Sequence, residues 1–187
     1  MIISFNGDHG SGKSTVAKMV AEKLSYPRYY MGQIFRDLAE KEGLNLAEFQ
    51  NLCKKNSWAD KQVDDYLMEL PKKEKNFVIE SRTAWHFIPD SLKIYLKVSE
   101  KEGAKRILKE IEKNSLRNKE DFNLNSIENI IASEKARKDR DDERYQKYYG
   151  IKIRNEANYD FALDTTKLTV EEVFKKVMTF IESKINN

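Results

Sequence analysis

Gly7-Asp8-His9-Gly10-Ser11-Gly12-Lys13-Ser14 matches the pattern G-x-x-x-x-G-K-[ST]. Each fixed position answers a chemical need. Gly7 and Gly12 permit backbone geometry that a side chain would obstruct, so that successive N–H groups point inward at a polyphosphate. The N-terminus of a following helix adds partial positive charge. Lys13 reaches the outer phosphates, and the Ser14 hydroxyl is placed to ligate Mg²⁺. Asp8, His9, Gly10, Ser11 and Thr15 complete the phosphate-gripping segment. The four fixed positions coincide by accident in roughly one chain of this length in a hundred, so the context has to decide. It does: the apolar run Ile2 to Asn6 reads as a strand feeding the loop. Ala17, Val20, Ala21 and Leu24 share one face of a helix that starts at Lys13.

Working outward, Tyr26-Pro27 ends that helix and Arg28 to Tyr30 reads as a short second strand. Over 31–70 the apolar residues fall on helical faces: Ile34 with Leu38, Phe49 with Leu52 and Cys53, then Val63, Tyr66, Leu67 and Leu70. Asn45 with Glu48 marks a helix start. This block is long for a crossover between neighbouring strands and reads as an inserted helical lobe. Phe77-Val78-Ile79 is a third strand, and Leu92 to Val98 alternates as a fourth. Ser99 and Glu102 open a helix lined by Ala104, Ile107, Leu108 and Ile111. The segment 114–144 is dense in charge and poor in apolar residues, which predicts a mobile, solvated stretch. Tyr159 to Leu163 is a fifth strand, and Thr169 with Glu172 starts the last helix. Five strands alternating with helices predict an α/β fold with a parallel sheet covered on both faces.

Composition narrows the functions. Hydrophobic residues make up 40% and charged residues 35% of the 187-residue chain, and 34 basic against 31 acidic residues leave a net charge of only +3. That balance gives no general basis for binding nucleic acid or an anionic membrane, so any basic site is local. No apolar run is long enough to span a bilayer. Met1-Ile2-Ile3-Ser4-Phe5 lacks the basic flank and long apolar stretch of a secretion signal, and the single cysteine, Cys53, forms no internal disulfide. The expectation is a cytoplasmic monomer whose partners are small molecules.

Three classes of protein share such a loop: GTPase switches, motor or transport ATPases, and small-molecule kinases. Asn118-Lys119-Glu120-Asp121 spells a guanine-reading tetrad, but it lies in the charged segment rather than behind a buried strand, and no D-x-x-G follows a strand. A motor would need more chain and an aspartate closing an apolar strand. Arginine is what the chain does supply. Arg36 lies four residues after Gly32, Arg82 follows the third strand in Glu80-Ser81-Arg82, and Arg137, Arg140 and Arg144 lie in the charged segment. Phosphoryl transfer is mostly positioning and charge stabilisation. A planar, always-charged fork of donors suits that task, and mobile lobes let closure assemble the site.

These features resemble the archaeal-type cytidylate kinases, within the nucleoside monophosphate kinase group. The resemblance covers nearly the whole chain. It runs through the phosphate loop, Gly32-Gln33-Ile34-Phe35-Arg36, Val78-Ile79-Glu80-Ser81-Arg82 and Arg144-Tyr145-Gln146-Lys147-Tyr148-Tyr149-Gly150-Ile151, and closes with Tyr159-Asp160-Phe161 and Asp164-Thr165-Thr166-Lys167. It implies ATP-dependent transfer to CMP or dCMP, with Mg²⁺ as the cofactor. It places Arg36 and Arg82 on the acceptor, Arg137 and Arg144 on a lid over the phosphates, and Arg106 with the Thr165 to Leu168 turn near the adenine. Gly32, Glu80 and Arg140 join the candidate acceptor set. The expected fold is the three-layer P-loop NTPase arrangement with strand order 2-3-1-4-5. One domain spans 1–187: a core of 1–30, 71–113 and 145–187, a helical acceptor-binding insertion of 31–70 and a lid region of 114–144. Two places depart from the family pattern. Tyr30-Met31 precedes Gly32 where small residues are usual, and Ser81 stands where glycine is usual, with Trp85-His86-Phe87 following.

Plainer roles stand beside each assignment. Arg36 also suits a solvated helix surface. Glu80 suits water-mediated Mg²⁺ binding, acceptor binding or pairing with an arginine. Arg137, Arg140 and Arg144 alternate with Asp139, Asp141, Asp142 and Glu143, a pattern that also makes surface ion pairs. His9 and His86 lack metal-ligand partners at useful spacing and are read as non-catalytic. Cys53, Trp58 and Trp85 are read as packing residues. A different acceptor (AMP, UMP or a metabolite) and a slow regulatory ATPase remain open alternatives.

Overall fold

A computed structural model describes residues 1–55, 58–113 and 124–185. The Asn118 to Asp121 tetrad and the side chains of Trp58 and Val63 lie outside the described residues. The sheet has five parallel strands: β1 Ile2–Gly7, β2 Arg28–Tyr30, β3 Phe77–Glu80, β4 Leu92–Lys97 and β5 Phe161–Asp164, in the spatial order β2-β3-β1-β4-β5. The expected order is the observed one. In β1 the register pairs Phe5 with Glu80 on one side and with Ile94 on the other. The loop after β1 and the residues after β3 therefore emerge side by side at the same edge of the sheet. Strand β5 begins at Phe161 rather than Tyr159, because Glu156–Asn158 forms a short 3-10 turn capped by the Asn155 side chain.

Helices follow as α1 Lys13–Leu24, α2 Met31–Lys41, α3 Leu46–Lys55, α4 Trp58–Lys73, α5 Ala84–Phe87, α6 Glu100–Lys113, α7 Ile127–Tyr149 and α8 Val170–Ile185. Alternation along the strands sorts the core into two faces. Ile3, Phe5, Val78, Ile94 and Leu96 pack against Val16 and Val20 of α1 and Val173, Val177 and Ile181 of α8. On the other face Phe77 and Ile79 meet Met31 of α2 and Leu67 and Leu70 of α4. The insertion adds a small core of its own, in which Phe49 and Cys53 of α3 pack with Ala39, Phe35 and Leu38 of α2.

The charged segment is the main departure from expectation. Over Ile127–Tyr149 it is a 23-residue helix with buried residues along it rather than a wholly solvated stretch, while residues 114–123 lie outside the described residues. The Ser126 side chain accepts from Asn129 N at 3.2 Å, and Gly150, with φ 67°, closes the other end in the left-handed region that glycine tolerates. Ile130 is fully buried against Ala104 and Ile107 of α6. Towards the C-terminal end Asp141, Arg144 and Tyr145 are buried. Hydropathy cannot register such a face, because its buried charges are satisfied by one another rather than by water. Two tyrosines at that end grip the insertion and its surroundings: Tyr148 OH donates to the Cys53 carbonyl at 2.8 Å, Tyr149 OH donates to Asp64, and the Tyr149 ring packs edge-on against Phe87.

Candidate active site

The phosphate loop is shaped by backbone contacts that exclude side chains. Gly7 has φ 149°, and a Cβ there would fall 2.1 Å from the Leu96 carbonyl oxygen. A Cβ on Gly10 would fall 2.5 Å from the carbonyl oxygen of Gly103, so α6 lies directly against the loop. Asp8 turns away from the loop interior: its carboxylate accepts from Val98 N at 3.1 Å and pairs with Lys138 Nζ at 3.0 Å. Ser11 is buried, and its hydroxyl has no hydrogen-bond partner among the described residues. Lys13 opens α1 and reaches back over the loop, donating to the Asp8 carbonyl at 3.3 Å. Burial depresses its ammonium pKa below the usual value, and Arg82 and Arg137 push the same way against Tyr30 and Glu80.

One cavity of about 200 Å³ joins this loop to the other candidate residues. Gly7, His9, Gly10, Gly12, Lys13, Ser14 and Thr15 line it from the loop side, and Gly32 and Arg36 from α2. Glu80 and Arg82 contribute from the end of β3, and Arg137 from α7. Asp8, Ser11, Arg106, Arg140 and Arg144 do not line it. Arg106 spans from the Gly10 carbonyl to Thr165 and Thr166, donating to the Thr165 carbonyl at 2.8 Å, so it braces the loop against the turn after β5. Arg140 is half-buried, and its Nε has no hydrogen-bond partner among the described residues. Arg144 is buried, with its guanidinium over the rings of Phe35 and Tyr145 and 3.1 Å from Asp141.

Charges form a chain from the phosphate loop to α7. Arg82 pairs with Asp141 at 2.8 Å and donates to His9 Nε2 at 3.2 Å, while His9 Nδ1 bonds the Glu134 carboxylate. A guanidinium has no acceptor, so the Nε2 facing it carries a lone pair and the imidazole is neutral. Burial comes first in holding the His9 pKa well below its ordinary value, followed by Arg137, Lys13 and Arg82. Burial alone would raise the Asp141 carboxyl, but Arg82, Arg144, Arg137 and Arg154 together hold it below the usual carboxylate range.

At the opposite end, Glu80 is buried. Its Oε1 accepts from Arg28 Nε at 2.7 Å, and its Oε2 has no hydrogen-bond partner among the described residues. The glutamate therefore does pair with an arginine, and it lines the same cavity as Ser14. Among the described residues no three His, Cys, Asp or Glu side chains cluster as a metal cage. A hydroxyl and one spare carboxylate oxygen suit Mg²⁺, which keeps waters and takes phosphate oxygens as ligands. Gly32 lies against the Tyr30 ring, where a Cβ would come within 2.7 Å of a ring carbon. The Arg36 guanidinium sits 5.0 Å from the centre of that same ring. Sequence reasoning gave Asp64 and Glu134 no role, read Asp141 only as a possible surface partner for arginine, and gave His9 no catalytic part. Asp64, Glu134 and Asp141 each meet a partner far along the chain, whereas Tyr30 and Tyr145 already stood in the stretches compared with the family pattern.

A glycine-rich loop at the head of a central parallel strand, with cations converging on it from three separate elements, defines a P-loop phosphotransferase. Comparison with known proteins agrees. A family model described as an AAA domain matches residues 3–128. The cytidylate kinase of Sulfurisphaera tokodaii is 34% identical over 183 residues, covering 97% of this chain and 95% of the relative. An S-adenosylmethionine-dependent nucleotide dehydratase of Lacinutrix mariniflava is 37% identical over 176 residues, or 91% of this chain but only 34% of that longer protein. The chain belongs to the cytidylate kinase family and is a nucleoside monophosphate kinase. For the fold alone, the crystal structure of shikimate kinase from Bacteroides thetaiotaomicron superposes with a TM-score of 0.63 at 14% identity, over 97% of this chain and 98% of that one. No described helix is long and apolar enough to cross a membrane.

Proposed function

We propose that the chain transfers the γ-phosphoryl group of ATP to CMP or dCMP, releasing ADP and CDP or dCDP. The observation that carries this reading is the shared cavity, which sets Lys13 and Ser14 at one wall and Arg36, Arg82 and Arg137 at the others. Loop amides and Lys13 grip the donor phosphates, and Arg36 and Arg82 orient the acceptor phosphate for direct in-line attack. Arg137, on α7, neutralises charge as it spreads over the transferring group. Ser14 and the spare oxygen of Glu80 are the groups that would hold Mg²⁺, directly or through water. Bound there, the metal would supply charge neutralisation at the β- and γ-phosphates. No covalent intermediate and no strong base are needed, because a phosphate monoester oxygen is already a competent nucleophile. Arg144 acts through its neighbours rather than by contact: it fixes Asp141, which fixes Arg82.

The test is ADP formation from MgATP with CMP, dCMP, UMP, AMP and GMP in parallel, on the wild type and on Lys13→Ala. The expected result is strong turnover with CMP or dCMP and a loss of about 10²- to 10³-fold in kcat/KM for the variant. Turnover with another nucleotide alone would move the acceptor. Near-normal activity in Lys13→Ala would remove the loop from the mechanism.

A further inference from the structure

Among the described residues, Asp64 is the one acidic side chain that the insertion sends into the active-site cavity. It sits on α4, is only 5% exposed, and lines the same space as Lys13 and Arg82. Three elements converge on it. Thr83, just past β3, donates its hydroxyl to Asp64 Oδ1 at 3.3 Å, and Tyr149, at the end of α7, donates to Oδ2. Thr83 is itself set by a bond from its backbone N–H to Ser81 Oγ at 3.1 Å. Both neighbouring hydroxyls spend their protons on the carboxylate, so this corner of the cavity is rich in acceptors and offers no donor from these three groups. Burying a carboxylate is costly unless it does something that water cannot.

The rest of the cavity says what that is. Arg36 and Arg82 line it with positive charge, and Met31 and Phe35 give it apolar wall. A nucleoside monophosphate has the matching form: a dianion at one end, and at the other a flat ring whose polarity is confined to its edge. An acceptor-rich corner suits a base edge that carries an amino group and repels one that carries a carbonyl. Cytosine and uracil differ at that place, with an amino donor on one and a keto oxygen on the other.

Resting on the cytidylate reading above, we propose that Asp64 is the specificity-determining residue for the acceptor, its carboxylate accepting a hydrogen bond from the 4-amino group of cytosine. Uracil would put its O4 against a buried carboxylate and lose a hydrogen bond at the same time. The carboxylate selects for an amino-bearing edge and says nothing about ring size, so it sets cytosine apart from uracil rather than from adenine. Ser81 also finds its purpose here: its hydroxyl holds Thr83, and Thr83 holds Asp64, where a glycine would leave both less constrained.

The experiment is a two-by-two comparison of kcat/KM. Wild type and Asp64→Asn are each given CMP and the matching 2-pyrimidinone ribonucleotide, which lacks only the 4-amino group; UMP is measured alongside. In the wild type the analogue should be used roughly 10- to 100-fold less well than CMP, the range of a lost base-edge hydrogen bond. In Asp64→Asn that difference should largely disappear, and the CMP-to-UMP preference should fall by a similar factor. Equal losses with CMP, UMP and the analogue in the variant would overturn the proposal, because they mark a general folding or closure defect. If the variant does not fold, the wild type decides: equal use of CMP and the analogue overturns the assignment. A wild type that phosphorylates another nucleotide but neither CMP nor dCMP removes the cytidylate reading itself, and is seen before any variant is made.

Discussion

A histidine inside a phosphate loop has to avoid adding charge in the wrong place. His9 manages this by being neutral: Nε2 receives from Arg82, Nδ1 faces Glu134, and burial with the nearby cations keeps the ring unprotonated. The consequence for stability has a definite sign. A histidine whose folded pKa lies below its unfolded value of about 6.5 lets the unfolded chain bind the extra proton. Its stabilising contribution is therefore complete above that value and is lost as pH falls towards the folded pKa. His9→Asn removes the titration and keeps a side chain that can bond. Between pH 7.5 and pH 5.5 the wild type should lose about 1 kcal/mol more than the variant, measured by urea unfolding at both pH values. Equal losses would mean that His9 is free to protonate in place. At this scale the legible residues were those in a local motif or at a strand end, such as Gly7, Lys13, Ser14 and Arg82. Asp64 was not legible, since its partners Thr83 and Tyr149 lie 19 and 85 residues away.

Helix α7 shows why the same limit applies to elements. Its strand and helix neighbours announce themselves by apolar period, but the C-terminal half of α7 buries an ion cluster instead. Asp141 is fully buried between Arg82 of β3's trailing loop, Arg144 on its own helix and Arg154 beyond it. In a linear sequence that helix face is indistinguishable from a solvated charge run, because whether Asp141 meets water or Arg82 is decided by the sheet. Removing one member of such a cluster leaves the others buried without compensation, which typically costs about 3–5 kcal/mol. Asp141→Ala should therefore lower Tm by roughly 6–20 °C for a chain of this size and raise KM for the acceptor through loss of Arg82 alignment. Asp142 is the control. It is half exposed and pairs with Arg154, so Asp142→Ala should stay within about 1 kcal/mol of wild type. Differential scanning calorimetry of the two variants separates the cases. Similar melting points would show that the ion cluster contributes little net stability.

The fold as a whole gathers the phosphate loop and three arginines around one cavity while drawing them from separate elements. The phosphate loop rides on β1, Arg36 on the insertion, and Arg137 on α7, with Glu134 and Lys138 of α7 reaching His9 and Asp8 of the loop. Its other end holds the insertion through Tyr148 and Tyr149. One helix thus contacts both halves of the site, and any ligand that settles α7 prepays part of the ordering that the second ligand needs. The prediction is positive coupling between the two nucleotides. CMP should bind several-fold to about a hundredfold more tightly in the presence of saturating MgADP than in its absence, and MgADP should tighten by the same factor in the presence of CMP, as linkage requires. Isothermal titration of each ligand with and without the other measures both legs. Tyr148→Phe, which cuts the bond from α7 to the Cys53 carbonyl without touching the cavity, should reduce the coupling while leaving the affinity for MgADP alone unchanged. A CMP affinity indifferent to MgADP in the wild type would mean that the insertion and the phosphate loop move independently, and that α7 is a scaffold rather than the link between them.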